Sequence, residues 1–193
     1  GEALNHSGTA TIGSANAGSY TITNLAGITI ADGSGGAASN YTLTGGTHNF
    51  TVNPKVVSIQ GNKTYDGNTT ISSGDITSIS DTVGAETLVI SGGSGTVSSA
   101  NAATYASASI NEGTLTLGNG TNGGLASNYS ISPGQTTTAN ITAKTLTATA
   151  SASNKVYDGN NTSTTTLTLS GLIGSETLDA TNNTSTFNNK NVG

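Results

Sequence analysis

Lys63-Thr64-Tyr65-Asp66-Gly67-Asn68-Thr69-Thr70 returns as Lys155-Val156-Tyr157-Asp158-Gly159-Asn160-Asn161-Thr162, with the two tyrosines 92 residues apart. A second string behaves the same way. Gly35-Gly36-Ala37-Ala38-Ser39-Asn40-Tyr41 recurs as Gly123-Gly124-Leu125-Ala126-Ser127-Asn128-Tyr129 after 88 residues, and Ala15-Asn16-Ala17 with Tyr20 recurs as Ala100-Asn101-Ala102 with Tyr105 after 85. Unrelated strings that agree on a period identify a tandem repeat, and the drift between them measures short loop insertions. A period of about 90 residues exceeds that of solenoid repeats and fits an array of small globular domains.

The phase follows from Lys55-Val56-Val57, which matches Lys144-Thr145-Leu146, so one full unit spans residues 54–143. Residues 1–53 read as the C-terminal part of a preceding unit and residues 144–193 as the N-terminal part of a following one. Asn191-Val192-Gly193 opens the Ala-Asn-Ala element again. Both chain ends are therefore expected to fall inside a repeat.

Charged residues make up 8% of the chain, against about a quarter in ordinary globular domains, and Arg, Cys, Met and Trp are absent. Thr, Ser, Asn and Gly supply the polarity. Disorder calls for high net charge as well as low hydrophobicity, and here the net charge is only −5. The apolar residues also alternate: Leu146, Ala148 and Ala150 share one parity of their run, as do Leu167 and Leu169. That period of two marks half-buried strands.

Strands are predicted at 9–12, 19–23, 28–30, 41–44 and 48–52 in the first segment. The full unit should hold strands near 55–60, 76–80, 87–91, 95–98, 105–110, 113–117, 129–132 and 137–142. The last segment should hold them near 145–150, 164–169 and 184–187. Asp32-Gly33, Asp66-Gly67, Asn119-Gly120 and Asp158-Gly159 are tight-turn dipeptides between them. Pro54 and Pro133 fall at a unit junction and in a loop. One short helical turn is expected before each Asn-Tyr, at 37–39 and 125–127. The reading is an all-β chain of tandem small domains, each a β-sandwich or β-grasp-like unit with Tyr65, Tyr105 and Tyr129 in its core.

The string at 63–70, then Ala126-Ser127-Asn128-Tyr129, then Thr138-Ala139-Asn140-Ile141-Thr142 together resemble the YDG-type repeat domains of large bacterial surface proteins. The resemblance implies long exported adhesins of the filamentous-haemagglutinin-like kind, many of them exported by two-partner secretion. With that come an extracellular location at the bacterial cell surface, a structural role in cell adhesion or biofilm, and an elongated rod of repeats. Departures are small: Asn161 stands where the full unit has Thr69, and the first segment has no Tyr-Asp-Gly of its own.

Candidate chemistry is sparse. Each Tyr-Asp-Gly supplies one carboxylate, and His6 and His48 have no counterparts in the full unit, so no acid/base pair recurs and no catalytic residue is assigned. Tyr65, Asp66, Gly67, Tyr157, Asp158, Gly159, Asn40, Tyr41, Asn128 and Tyr129 are read as structural motif residues, turns and core tyrosines. Asp66, Asp75 and Asp81 lack the closing Glu of a calcium loop, and neither metal nor cofactor is expected. Lys63 and Lys155 precede the motif at one position in two units. The ordinary state of such a strand-end lysine is solvated; the alternative is a crosslink from a buried lysine to an asparagine with a carboxylate beside it.

Asn-x-Ser/Thr sequons at Asn40, Asn49, Asn62, Asn68, Asn128, Asn140, Asn160 and Asn182 follow from the composition, as do the Thr-x-Thr triplets. An acidic chain whose only basic residues are five lysines does not suit nucleic acid. No run approaches the ~18–20 apolar residues that cross a bilayer, so no membrane insertion is expected in this segment. Expected partners are neighbouring repeats, other copies of the chain in a fibre, and host or environmental surface glycans. The function expected is a stalk or spacer, with a filament protomer assembled by strand-edge pairing or strand exchange and a glycan- or surface-binding module as the alternatives.

Overall fold

The computed structural model describes residues 1–22, 25–44, 48–106, 110–131, 138–179 and 184–192. These are all-β, with three single-turn 3₁₀ segments. The first segment carries β1 (Asn5–Gly8), β2 (Gly18–Ile22), β3 (Ile28–Ala31) and β4 (His48–Val52). The full unit carries β5 (Lys55–Thr64), β6 (Thr70–Ser72), β7 (Ile76–Ser80), β8 (Leu88–Gly92), β9 (Ser94–Val97), β10 (Ala103–Tyr105), β11 (Ile110–Asn111), β12 (Thr116–Asn119), β13 (Tyr129–Ile131) and β14 (Thr138–Thr142). The last segment carries β15 (Thr147–Ala152), β16 (Thr162–Ser170) and β17 (Thr184–Thr186). Among the described residues, every strand ladder stays within one of these three segments.

The ten-residue β5 organises the full unit. Gln60 and Gly61 pair with antiparallel β7 and with parallel β14 at once, so these strands flank β5 on opposite sides. Beyond β14 lies antiparallel β10, and β13 runs parallel to the first residues of β5, Tyr129 opposite Lys55. Two further ladders, β11-β9-β6 and β12-β8, close over this sheet. Among the described residues, the ten buried hydrophobic ones all fall between Val57 and Ile141. Ile59, Ile71, Val97, Ile110, Leu115, Ala139 and Ile141 form one cluster, with Tyr65 and Tyr105 packed against it, and Val57, Leu88 and Tyr129 form another. Burying an Ile or Val of this kind stabilises by about 1.5–3 kcal/mol. Gly61 permits the closure, because a Cβ there would stand 3.3 Å from both Ile71 and Ile110.

The same registers recur in the flanking segments. Tyr20 opposes Phe50 as Tyr105 opposes Ala139, and Ala148 opposes Leu169 as Ile59 opposes Ile79. The 3₁₀ turns before each Asn-Tyr are present at Ala38–Asn40 and Ala126–Asn128. Three expectations need correcting. The strand read at 9–12 lies at β1 instead, where it pairs with β3. Residues 41–44 form no strand, because their matches in β13 are held by the start of β5 and no such strand faces them among the described residues. β6 was not anticipated, being three residues long. Strand 105–110 is seen as β10 and β11, with 107–109 outside the described residues, as are Thr23, Ser132, Pro133, Thr137, Asn182 and Gly193.

Candidate functional site

β5 ends at Thr64 and the chain turns through Tyr65-Asp66-Gly67, where Gly67 takes φ +80°. The Asn68 amide donates to Asp66 Oδ1 (3.1 Å) and the Thr70 amide to Asn68 Oδ1 (2.8 Å), so two side-chain turns in succession lead into β6. Lys63 Nζ lies at the centre. It pairs with Asp66 Oδ1 at 2.7 Å and donates to Asn68 O (2.9 Å), Asn68 Oδ1 (3.1 Å) and Thr70 O (2.8 Å). Lys63 is only 7% exposed, which corrects the expectation of a solvated lysine. A buried ammonium is tolerable when paired and fully hydrogen-bonded, and this one is encircled by oxygen acceptors.

The copy at 155–162 repeats three of the four lysine contacts, without a counterpart to the bond from Lys63 Nζ to Thr70 O. Lys155 Nζ meets Asp158 Oδ1 (2.8 Å), Asn160 Oδ1 (2.7 Å) and Asn160 O (3.1 Å), while the Asn160 and Thr162 amides reproduce both turns and Gly159 takes φ +79°. The hydrogen bond from each lysine holds the Asp66 and Asp158 carboxyls below the ordinary aspartate value of 3.8. The difference between Thr69 and Asn161 leaves the ring intact, since neither side chain enters it.

The tyrosines perform a second task. Tyr129 is buried, donates to Glu86 and accepts the Val83 amide (2.9 Å); Tyr41 donates to Glu2. Tyr65 is half-buried and donates to Glu176, across the boundary with the last segment. Glu2, Glu86 and Glu176 occupy matched positions, as Glu-Ala-Leu, Glu-Thr-Leu and Glu-Thr-Leu. One glutamate position thus receives the Asn-Tyr tyrosine of its own unit and the Tyr-Asp-Gly tyrosine of the unit before. These bonds push Tyr41, Tyr65 and Tyr129 above the usual 10.0. Gly67 is needed here a second time, because a Cβ would stand 2.9 Å from Ile173 Cγ2. Among the described residues Tyr157 has no such partner, and it is 59% exposed.

Asn128 bridges the other boundary. Its Nδ2 donates to Asn16 Oδ1 (3.0 Å), and its Oδ1 accepts the Ala17 amide (2.8 Å). Its match Asn40 is exposed. The turn that presents Asn16 is the one repeated at Asn101 and Asn191: each asparagine amide donates to the side chain two residues earlier, Ser14, Ser99 or Asn189. Sequence reading missed the glutamates, although the Glu-x-Leu recurrence was there to find, and took Asn128 for a period marker only.

The remaining candidates disperse. Asp75 closes a capping box with Ser72, Asp81 turns the chain at φ +69°, and His6 and His48 are exposed in separate ladders. Among the described residues, no three His, Asp or Glu side chains gather as metal ligands.

Repeated ladders, repeated lysine rings and boundaries bridged by tyrosine and asparagine define a tandem all-β repeat protein. The chain belongs to the YDG domain family, whose model matches residues 47–139 and 142–193. It matches no curated protein and no solved structure.

Proposed function

We propose that this chain is a structural segment of an extracellular bacterial adhesin or surface fibre, a stalk or spacer that holds a distal element away from the cell. The observation that carries the reading is that both boundaries are bridged by residues at repeated sequence positions, Tyr65 to Glu176 at one and Asn128 to Asn16 and Ala17 at the other. The lightly charged, Thr- and Ser-rich faces suit a solvated rod. On this reading the segment has no catalysis and no cofactor, binds no nucleic acid and stays out of the membrane; its partners are neighbouring repeats. Small-angle scattering on chains of two, three and four units tests it. The reading expects the maximum dimension to grow by an equal step per unit, and a maximum dimension that saturates as the units fold back on one another would overturn it. Saturable binding of the segment to a glycan array would favour the surface-binding alternative instead.

A further inference from the structure

We propose that Asn122 is a site of self-modification. In the folded chain its side chain closes on the Gly123 amide, loses ammonia and opens to aspartate or isoaspartate, while Asn119 in the same loop stays intact.

Asn119-Gly120 and Asn122-Gly123 are the chain's two Asn-Gly dipeptides. Asparagine before glycine is the favoured substrate of this ring closure, because a residue without a Cβ lets its own nitrogen approach the asparagine Cγ unhindered. Sequence makes the two sites equal, and the fold separates them.

Asn119 ends β12 and opposes Leu88 in the ladder with β8. Its Oδ1 accepts the Ala126 amide at 2.8 Å, and the Gly120 amide that would have to attack donates to Gly124 O at 3.0 Å. A Cβ on Gly120 would stand 2.1 Å from Thr87 O, so the backbone has no room to turn. Electrophile, nucleophile and backbone are each held.

Asn122 and Gly123 are exposed, and they take φ +55° and +88°. Asparagine is one of the few residues that tolerate this left-handed region. Among the described residues the Gly123 amide has no acceptor and Asn122 Oδ1 no donor, so both sides of the new bond are free. The side chain is tied at one point, Nδ2 to Ala85 O at 2.9 Å, and Nδ2 is the group that leaves. A Cβ on Gly123 would lie 4.0 Å from Glu86 Oε1, so a carboxylate stands beside the residue whose amide must give up its proton. The Asp-Gly pairs of the lysine rings are poorer substrates, because Lys63 and Lys155 keep those carboxylates ionised.

In the reaction the Gly123 nitrogen attacks Cγ, a C–N bond forms, the Cγ–Nδ2 bond breaks, and ammonia departs with the proton from Gly123. Water then adds to one carbonyl of the cyclic imide to give aspartate, or to the other to give isoaspartate. The product takes a donor away from Ala85 O and sets a negative charge opposite it, one residue from Glu86. That turn holds Tyr129: the Val83 amide donates to the tyrosine oxygen at 2.9 Å, and Glu86 accepts its hydroxyl. The modification is therefore a slow, one-way loosening of the Tyr129 anchor. Ser34 stands at the matching position before Gly35-Gly36, so the first segment offers no substrate.

The test incubates the freshly purified whole chain in mildly alkaline buffer, folded and, in parallel, denatured in guanidinium. Cleavage at lysine and glutamate releases residues 113–144 with both sites, and fragmentation mass spectrometry locates the exchange of NH for O. The folded chain is expected to convert severalfold faster at Asn122 than at Asn119, and the denatured chain to convert at both alike. Asn122→Gln, whose longer side chain closes a ring far less readily, should remove the folded-state reaction. Asn122→Asp should lower the urea midpoint, as the modified chain does. Equal conversion of Asn119 and Asn122 in the folded chain, or an Asn122 that reacts only once denatured, would overturn the site. An Asn122→Asp midpoint equal to that of the parent chain would overturn its effect on the Tyr129 turn.

Discussion

Residues 54–143 and 144–193 open with the same strands in the same register and finish with opposite burial. Leu88 is 8% exposed and its match Leu178 59%; the Lys63 side chain is 4% exposed and that of Lys155 26%. The lysine ring, a local object closed within eight residues, survives in both. The core does not. Strands β10 to β14 are what cover β5, β6 and β8, and among the described residues of the last segment none of their counterparts pairs with β15. Local hydrogen bonds thus define the motif, and the second half of the unit decides whether the motif is buried.

Paired substitutions sharpen this contrast. Leu88→Ala should destabilise by about 2–5 kcal/mol, as a large-to-small change in a core does, while Leu178→Ala should stay within about 0.5 kcal/mol at an exposed site. Urea unfolding of the two variants checks the difference, and equal effects would break the comparison. Next in size, Lys63→Met strands a carboxylate and three oxygen acceptors and should cost about 1–3 kcal/mol. Lys155→Met, at a wetter ring, should cost clearly less by the same measurement.

Acidification acts on both rings. Asp66 and Asp158 have folded pKa values below their unfolded value of 3.8, so the stability they contribute is present above 3.8 and is lost as pH falls through the lowered folded values. Unfolding midpoints followed below pH 4 should drop, and the drop should shrink in Asp66→Asn. At the alkaline end the sign reverses for Tyr65, Tyr41 and Tyr129. Their raised values mean stability kept below 10.0 and lost as pH climbs past it, first at the tyrosine–glutamate contacts. The smallest effect concerns covalent chemistry. Lys63 and Asn68 touch, but the lysine is engaged as an ammonium by an ionised carboxylate, and a protonated amine is no nucleophile. Intact mass should equal the sequence mass, and loss of one ammonia per unit would show a lysine–asparagine bond.

What was legible in the sequence was what is local. The period, the turn at Tyr65-Asp66-Gly67, the 3₁₀ turns before Asn40-Tyr41 and Asn128-Tyr129, and most strands of the full unit rest on alternation and turn residues a few positions apart. What stayed hidden depends on partners far along the chain. Nothing near Lys63 in sequence announces that β14 and β6 will close around it, and nothing near Tyr65 points to Glu176, 111 residues on. Residues 41–44 show the converse: a sequence with strand propensity makes no strand where no ladder partner faces it among the described residues.

The central claim, that the second half of a unit governs the burial of the first, is tested most directly by hydrogen exchange on β15. The chain is compared with one extended after Gly193 by a copy of residues 102–143. The account predicts that β15 amides rise from weak protection to that of the β5 amides on extension, with Leu178 burial following. Protection of β15 unchanged by the added strands would contradict it.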